Sequence, residues 1–256
     1  MKYSTEDFKH LDIDTLSKIW EPRKEYIEKD LWVIRDFLSE SELVWLNKEA
    51  NDPLGWYDTM RSPYGGNTKN KFLGYIPEYD ENGSMLVPHA ESKWTYREPI
   101  NYIEKRIEAV VPKYFGGAGA LQSFFEVSDE QIFNETGRRD IDYAMPWHYE
   151  RDASDDEEQQ TTIVEKSKTQ GKRVSSQGRI SASYNVYIND NFDGGVLEFQ
   201  NKDYVIKPEV GMLVNIPINK EFMHRVTKVT NGNRHTIYGR SWDIEDGKYF
   251  STNEDC

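Results

Sequence analysis

ISASYNVYINDNFDGGVLEFQNKDYVIKPEVGMLVNIP, residues 180–217, is the stretch whose reading decides the fold. Short runs rich in Val, Ile, Tyr and Phe are separated by Asn, Asp, Gly and Pro, the pattern of successive β-strands joined by turns. In the first run Ser181, Ser183, Asn185, Tyr187 and Asn189 alternate with Ala182, Tyr184, Val186 and Ile188. A two-residue period puts the polar set on one face of a strand and the other set on the opposite face. Such a polar face either lines a ligand-filled interior or meets solvent. Working outward, the spacing predicts strands over 121–126, 130–135, 144–150, 180–189, 195–200, 204–207, 211–217, 221–229 and 234–242, an all-β sandwich or barrel.

The segment before this region has a different character. Residues 1–30 carry alternating charges around Phe8, Leu11, Leu16, Ile19 and Trp20 and read as one or two short surface helices. LWVIRDFL, residues 31–38, is a short β-rich run, and Ser39 with Glu42 three residues on is a capping box opening a helix whose apolar face is Leu43, Leu46 and Ala50. Residues 52–71 are dense in Gly, Pro, Asn and Tyr and read as loop, whereas Ile103, Ile107, Val110 and Val111 predict a helix within 99–114. The expected organisation is one domain over 1–256, with helical and α/β support to 115, a β core over 116–243 and a tail from 244. Residues 152–178, rich in Asp, Glu, Gln, Ser, Thr and Lys, form a polar insertion between two strands.

The formal charge of −13 repels phosphate backbones and anionic membranes, so nucleic acid and membrane surfaces are poor default partners. Cys256 is the single cysteine, which excludes an internal disulfide and a thiolate zinc site. Any metal must be held by imidazoles and carboxylates. MKYSTEDFKH lacks the apolar core of a signal peptide, and the expectation is a soluble, cytoplasmic protein.

The histidines are His10, His89, His148, His224 and His235. In MPWHYERD, His148 and Glu150 share one face of a strand and can both ligate a metal, with Asp152 as the alternative carboxylate. His224, in EFMHRVTKV, is the candidate third ligand. Two imidazoles and one carboxylate leave open positions on an octahedral metal, as in non-haem iron(II) oxygenases. Arg234 follows His224 by ten residues, across a turn signalled by Asn231 and Gly232, and is expected on the neighbouring strand of a hairpin. Its planar guanidinium suits a carboxylate. A strict two-residue turn would put His224 and Arg234 on opposite faces, so a shared site predicts an odd-length loop or a β-bulge there. His235 is expected to point away from that site, and His10 and His89 to lie on the surface or in loops. Arg240 shares the face of Arg234. Trp147, Tyr149 and Trp242 are read as barrel packing, and Gly194 and Gly195 as turn residues.

The order of His148-x-Glu150, a distant His224 and Arg234 ten positions later, with SYNVYIND, FDGGVLEF and VIKPEVGMLVNIP between, resembles the prolyl 4-hydroxylase-like branch of the 2-oxoglutarate and iron(II)-dependent oxygenases. The resemblance covers roughly 120–243, and more loosely VIRDFLSESEL; the family usually has aspartate where this chain has Glu150. It implies a double-stranded β-helix, a jelly-roll barrel of cupin type, with iron on His148, Glu150 and His224. It further implies that Arg234 and Tyr187 hold the distal carboxylate of 2-oxoglutarate. The implied reaction consumes O2, converts 2-oxoglutarate to succinate and CO2 and hydroxylates a substrate C–H bond, with ascorbate as a candidate accessory. A peptidyl proline or a small molecule is the implied substrate. Two rival readings are an AlkB-like nucleic-acid demethylase, from the two arginines of RHTIYGR, and a non-catalytic cupin-like barrel that binds a metal or ligand. Residues 52–71 and 152–178 are the candidate covers of the site.

Overall fold

In the computed structural model, which describes residues 7–58, 68–73, 76–83, 86, 98–111, 120–126, 128–138, 140–149 and 179–243, the β-rich runs pair antiparallel into two main sheets. The larger has eight strands: β1 (Glu25–Glu28), β2 (Leu31–Ile34), β3 (Trp56–Asp58), β4 (Thr68–Phe72), β5 (Ala120–Phe124), β7 (Arg179–Tyr187), β11 (Leu213–Pro217) and β14 (Arg234–Asp243). Their spatial order is β1-β2-β11-β7-β14-β5-β4-β3. The smaller holds β6 (Tyr143–His148), β9 (Leu197–Phe199), β10 (Val205–Ile206) and β12 (His224–Thr227), in the order β10-β9-β12-β6. β8 (Asp193–Gly194) pairs with β13 (Val229–Thr230) in a short ribbon.

The two-residue period explains how the large sheet carries two cores. On one face, Trp32, Ile34, Tyr184, Val186, Ile188, Leu213 and Ile237 pack with the helices; on the other, Leu31, Val33, Phe124, Tyr187, Val214 and Ile216 pack with Leu197, Phe199 and Val226 of the small sheet. The helices are α1 (Ile13–Trp20), α2 (Glu40–Asn51), α3 (Glu98–Val110) and α4 (Asp129–Thr136). In α3, Ile100, Ile103, Ile107 and Val110 recur at helical spacing and are fully buried. The capping box of α2 forms as expected: Glu42 N–H donates to Ser39 Oγ at 3.3 Å, and Ser39 N–H donates to Glu42 Oε2 at 2.8 Å. The buried Lys71 of β4 donates to the Glu49 and Asp52 carbonyls at 2.8 and 3.1 Å, tying the sheet to the last turn of α2. Burial pushes that ammonium below the ordinary lysine range, while Asp52 and Glu49 oppose the shift.

Several expectations need correction. Residues 130–135 form α4 rather than a strand, because Ser128 caps Gln131 N–H, Asp129 and Glu130 fill the first turn, and Gly137 closes the helix in the left-handed region. Residues 52–71 are not all loop: β3 and β4 pair there despite the polar sequence TKNKF, since the ladder to β5 satisfies their backbone groups. The segment before residue 115 supplies β1 to β4, half of the large sheet, beyond helical support. The expected run 221–229 is divided into a short 3₁₀ turn and strands β12 and β13. Trp147 is 39% exposed beneath the Arg225 guanidinium, 5.0 Å from its ring centre, so it packs on the outside of the small sheet instead of within a barrel.

His235 lies on the helix-side face of β14, hydrogen-bonded to Ser123 Oγ and flanked by the Trp56 and Phe125 rings. It points away from Arg234, as the alternation requires. Burial pushes its pKa from 6.5 down to about 4. The unfolded chain therefore binds the extra proton first, and stability falls as pH drops from 6.5 towards 4. That single group accounts for about 3 kcal/mol at most between those limits. In His235→Phe, urea unfolding between pH 7 and 4 is expected to lose this part of the acid sensitivity; pH profiles that stay parallel to wild type would contradict it.

Candidate functional site

His224 and His148 sit opposite one another in the register of β12 and β6, with Phe199 of β9 next in the row. Their ring centres are 4.3 Å apart. Each imidazole is oriented in the same way: Nδ1–H of His148 donates to the Pro146 carbonyl at 2.8 Å, and Nδ1–H of His224 to the Phe222 carbonyl at 2.9 Å. A carbonyl only accepts, so Nδ1 carries the hydrogen and Nε2 the lone pair in both rings. Two such imidazoles, oriented by backbone partners, present lone pairs of the kind that ligate a divalent metal. Among the described residues no third carboxylate or thiol completes a cluster. Glu150 and Asp152, the carboxylates expected from the sequence, lie outside the described residues, as do His89 and the insertion 152–178.

Arg234 reaches the same interior from the other sheet. β12 and β14 do not pair: β12 lies between β6 and β9, and β14 between β5 and β7. The hairpin expected between His224 and Arg234 is therefore replaced by a crossing from the small sheet to the large one, with β13 pairing β8 on the way. Asn231 and Gly232 do make a turn in the left-handed region, at φ 52° and 131°. Face parity within one hairpin no longer applies, because the two residues stand on strands of different sheets.

The guanidinium is 1% exposed. Its Nη2 donates to Tyr187 Oη at 3.1 Å, and the Phe124 and Tyr187 rings each lie 4.9 Å from Cζ. Nε and Nη1 have no hydrogen-bond partner among the described residues. A buried cation with open donors is costly unless an anion meets it.

The polar face of β7 is buried, not solvent-exposed: Ser183, Asn185 and Tyr187 all point to the gap between sheets. The register extends this face sideways. Tyr57, Asn70, Gln122, Thr236 and Tyr187 fall in one cross-strand row that adjoins Arg234 and Phe124. All five are uncharged, and Asn70 Oδ1 is buried with no partner among the described residues. Phe124, Tyr57, Asn70, Gln122 and Thr236 were not read from the sequence; for β5 the signal was the alternation of Gln122 and Phe124 with Leu121 and Ser123. Arg240 shares the strand face of Arg234 by register, opposite Ser183, and its side chain lies outside the described residues, as does that of Trp242. Tyr149 follows β6, with Lys220 Nζ 5.9 Å from its ring centre, and His10 is exposed far along the chain from this site.

No family model and no curated protein matches the chain. Similar solved structures include a Trichoplax adhaerens prolyl hydroxylase in complex with a hypoxia-inducible-factor peptide, at 14% identity and a TM-score of 0.48, covering 90% of each chain. A Pseudomonas putida prolyl 4-hydroxylase is similar at 12% identity and a TM-score of 0.46, over 91% of this chain and all of that one. A collagen prolyl hydroxylase of Paramecium bursaria Chlorella virus-1, solved with 2-oxoglutarate, is similar at 13% identity and a TM-score of 0.45, over 84% and 97% of the two chains. A 2-oxoglutarate and iron(II) oxygenase family protein of Burkholderia pseudomallei is similar at 9% identity and a TM-score of 0.44, over 93% of each chain.

Proposed function

We propose that the chain is an iron(II)- and 2-oxoglutarate-dependent dioxygenase of prolyl 4-hydroxylase type, with the two sheets forming a double-stranded β-helix within one domain. The observation that carries this reading is the buried Arg234. It has two open nitrogen donors and no carboxylate partner among the described residues, and it faces a sheet bearing two imidazoles set for a metal. His148, His224 and Glu150 would hold iron, with Asp152 as the alternative carboxylate. When bound, the metal and 2-oxoglutarate supply the activation of O2, so that one oxygen atom enters the substrate C–H bond and the other enters succinate, with release of CO2.

The chain's own residues bind, orient and exclude water. Arg234 and the Tyr187 hydroxyl take the distal carboxylate of 2-oxoglutarate. Phe124, Phe199 and Val226 keep the space between the sheets apolar, which strengthens that ion pair. The Pro146 and Phe222 carbonyls keep His148 and His224 in the ligating tautomer. The uncharged row of Tyr57, Asn70 and Gln122 offers hydrogen bonds to a prolyl or other uncharged polar substrate.

Anaerobic protein mixed with iron(II) and 2-oxoglutarate is expected to develop the weak visible absorption of a chelated 2-oxo acid. Glu150→Ala is expected to abolish it and Asp152→Ala to leave it. The converse result would move the ligand role to Asp152, and no absorption in wild type with iron bound would remove the oxygenase reading in favour of a non-catalytic barrel.

A further inference from the structure

A buried arginine that waits for its anion must be held by something other than a counter-ion. The stem of Arg234 has several rotatable bonds, and among the described residues Nη2–H to Tyr187 is the one hydrogen bond of its guanidinium. Three other contacts confine it. The Phe124 and Tyr187 rings stand at equal distances of 4.9 Å from Cζ. Phe124 is opposite Arg234 in the β5–β14 register, and Tyr187 comes from β7 on the other side of β14. The guanidinium is therefore held by one ring from each neighbouring strand, with cation–π attraction to both. The third contact is Gly195, at φ +61°: a Cβ there would lie 2.9 Å from Arg234 Cδ and 2.8 Å from Phe192 Cε2. The missing side chain leaves the space in which the arginine stem lies, beyond the turn role read from the sequence.

We propose that Phe124 and Gly195 are positioning residues that lock Arg234 in place before the co-substrate arrives, and so set the length of the oxo-dicarboxylate that fits. This rests on the function proposed above. The metal-chelating end of such an acid is tied to the histidines of the small sheet, and its far end to a guanidinium fixed on the large sheet. With both ends anchored on packed strands, the number of carbons between them becomes the selected variable.

The test is calorimetric titration of iron(II)-loaded anaerobic protein with oxaloacetate, 2-oxoglutarate and 2-oxoadipate, which contain successively longer chains, alongside thermal unfolding. Wild type is expected to prefer 2-oxoglutarate. Phe124→Leu keeps apolar bulk and deletes the ring; it is expected to weaken 2-oxoglutarate binding about tenfold and to reduce the preference over 2-oxoadipate by a similar factor. Gly195→Ala, which displaces the stem with both rings intact, is expected to do the same and serves if Phe124→Leu does not fold. A folded variant of either kind with wild-type affinity and wild-type length preference would overturn the lock. Wild-type protein that binds iron but none of the three acids would instead overturn the function itself, and the lock with it.

Discussion

Replacing His224 by alanine is expected to remove iron(II) binding and to reduce 2-oxoglutarate turnover by at least about a thousandfold, the order of loss that follows when a metal-dependent step of ~4 kcal/mol or more is deleted. The geometry makes this one of the two most severe single changes at the site. His224 is buried, central in the small sheet between β6 and β9, and is oriented by the Phe222 carbonyl. His148, on edge strand β6, is expected to give the same loss when replaced. Equilibrium dialysis against iron(II), with far-ultraviolet circular dichroism to verify folding, separates ligand loss from unfolding. A folded His224→Ala protein that still binds one iron with wild-type affinity would remove this residue from the metal site. Phe222→Leu is the companion case: the oriented carbonyl remains, so iron binding should survive.

The largest expected stability effect lies elsewhere. Arg106 of α3 and Glu42 of α2 form a bidentate pair, with Nη1 to Oε1 at 3.0 Å and Nη2 to Oε2 at 2.8 Å, and both side chains are 1% exposed. Phe37, Trp20 and Phe8 rings surround the guanidinium at 5.0, 5.7 and 5.9 Å. Arg106→Ala strands the Glu42 carboxylate in an apolar layer and is expected to cost ~3–5 kcal/mol. A typical domain has only about 5–15 kcal/mol of stability, so the variant should unfold at far lower urea. The double variant Glu42→Leu with Arg106→Met is expected to recover most of that loss, because apolar side chains carry no desolvation cost. It should remain about 1 kcal/mol short through the lost capping contact to Ser39 N–H. If Arg106→Ala costs less than about 1 kcal/mol in urea titration, the pair is not a buried charge in the sense argued.

Glu42 also shows how far local reading reaches. Its spacing from Ser39 announced a capping box, and the box forms. Nothing in that spacing announced Arg106, because the pair joins residues 64 positions apart. The same division runs through the candidate site. His148, His224, Tyr187 and Arg234 could be singled out by residue type and order, but the means by which they meet could not. A hairpin was expected to bring Arg234 beside His224, and instead the chain crosses between sheets. Phe124 and Gly195 became visible only when β5 and the turn at β8 were seen against Arg234.

What the sequence by itself determined is the set of properties governed by neighbours a few residues away. These include the strand runs and their alternation over 181–189, the α3 face, the Ser39 cap, and the placing of His235 on the strand face opposite Arg234. Backbone dihedral preference and side-chain period act at that range. Ser128 and Gly137 carried the same kind of signal for α4, although Ile132 and Phe133 between them also suit a short strand. The tertiary structure alone decided which strand joins which sheet, that both faces of β7 are buried, and that Tyr187 lies on the face packed with the small sheet. Those outcomes depend on backbone pairing and burial between segments far apart in the chain, which no local period encodes.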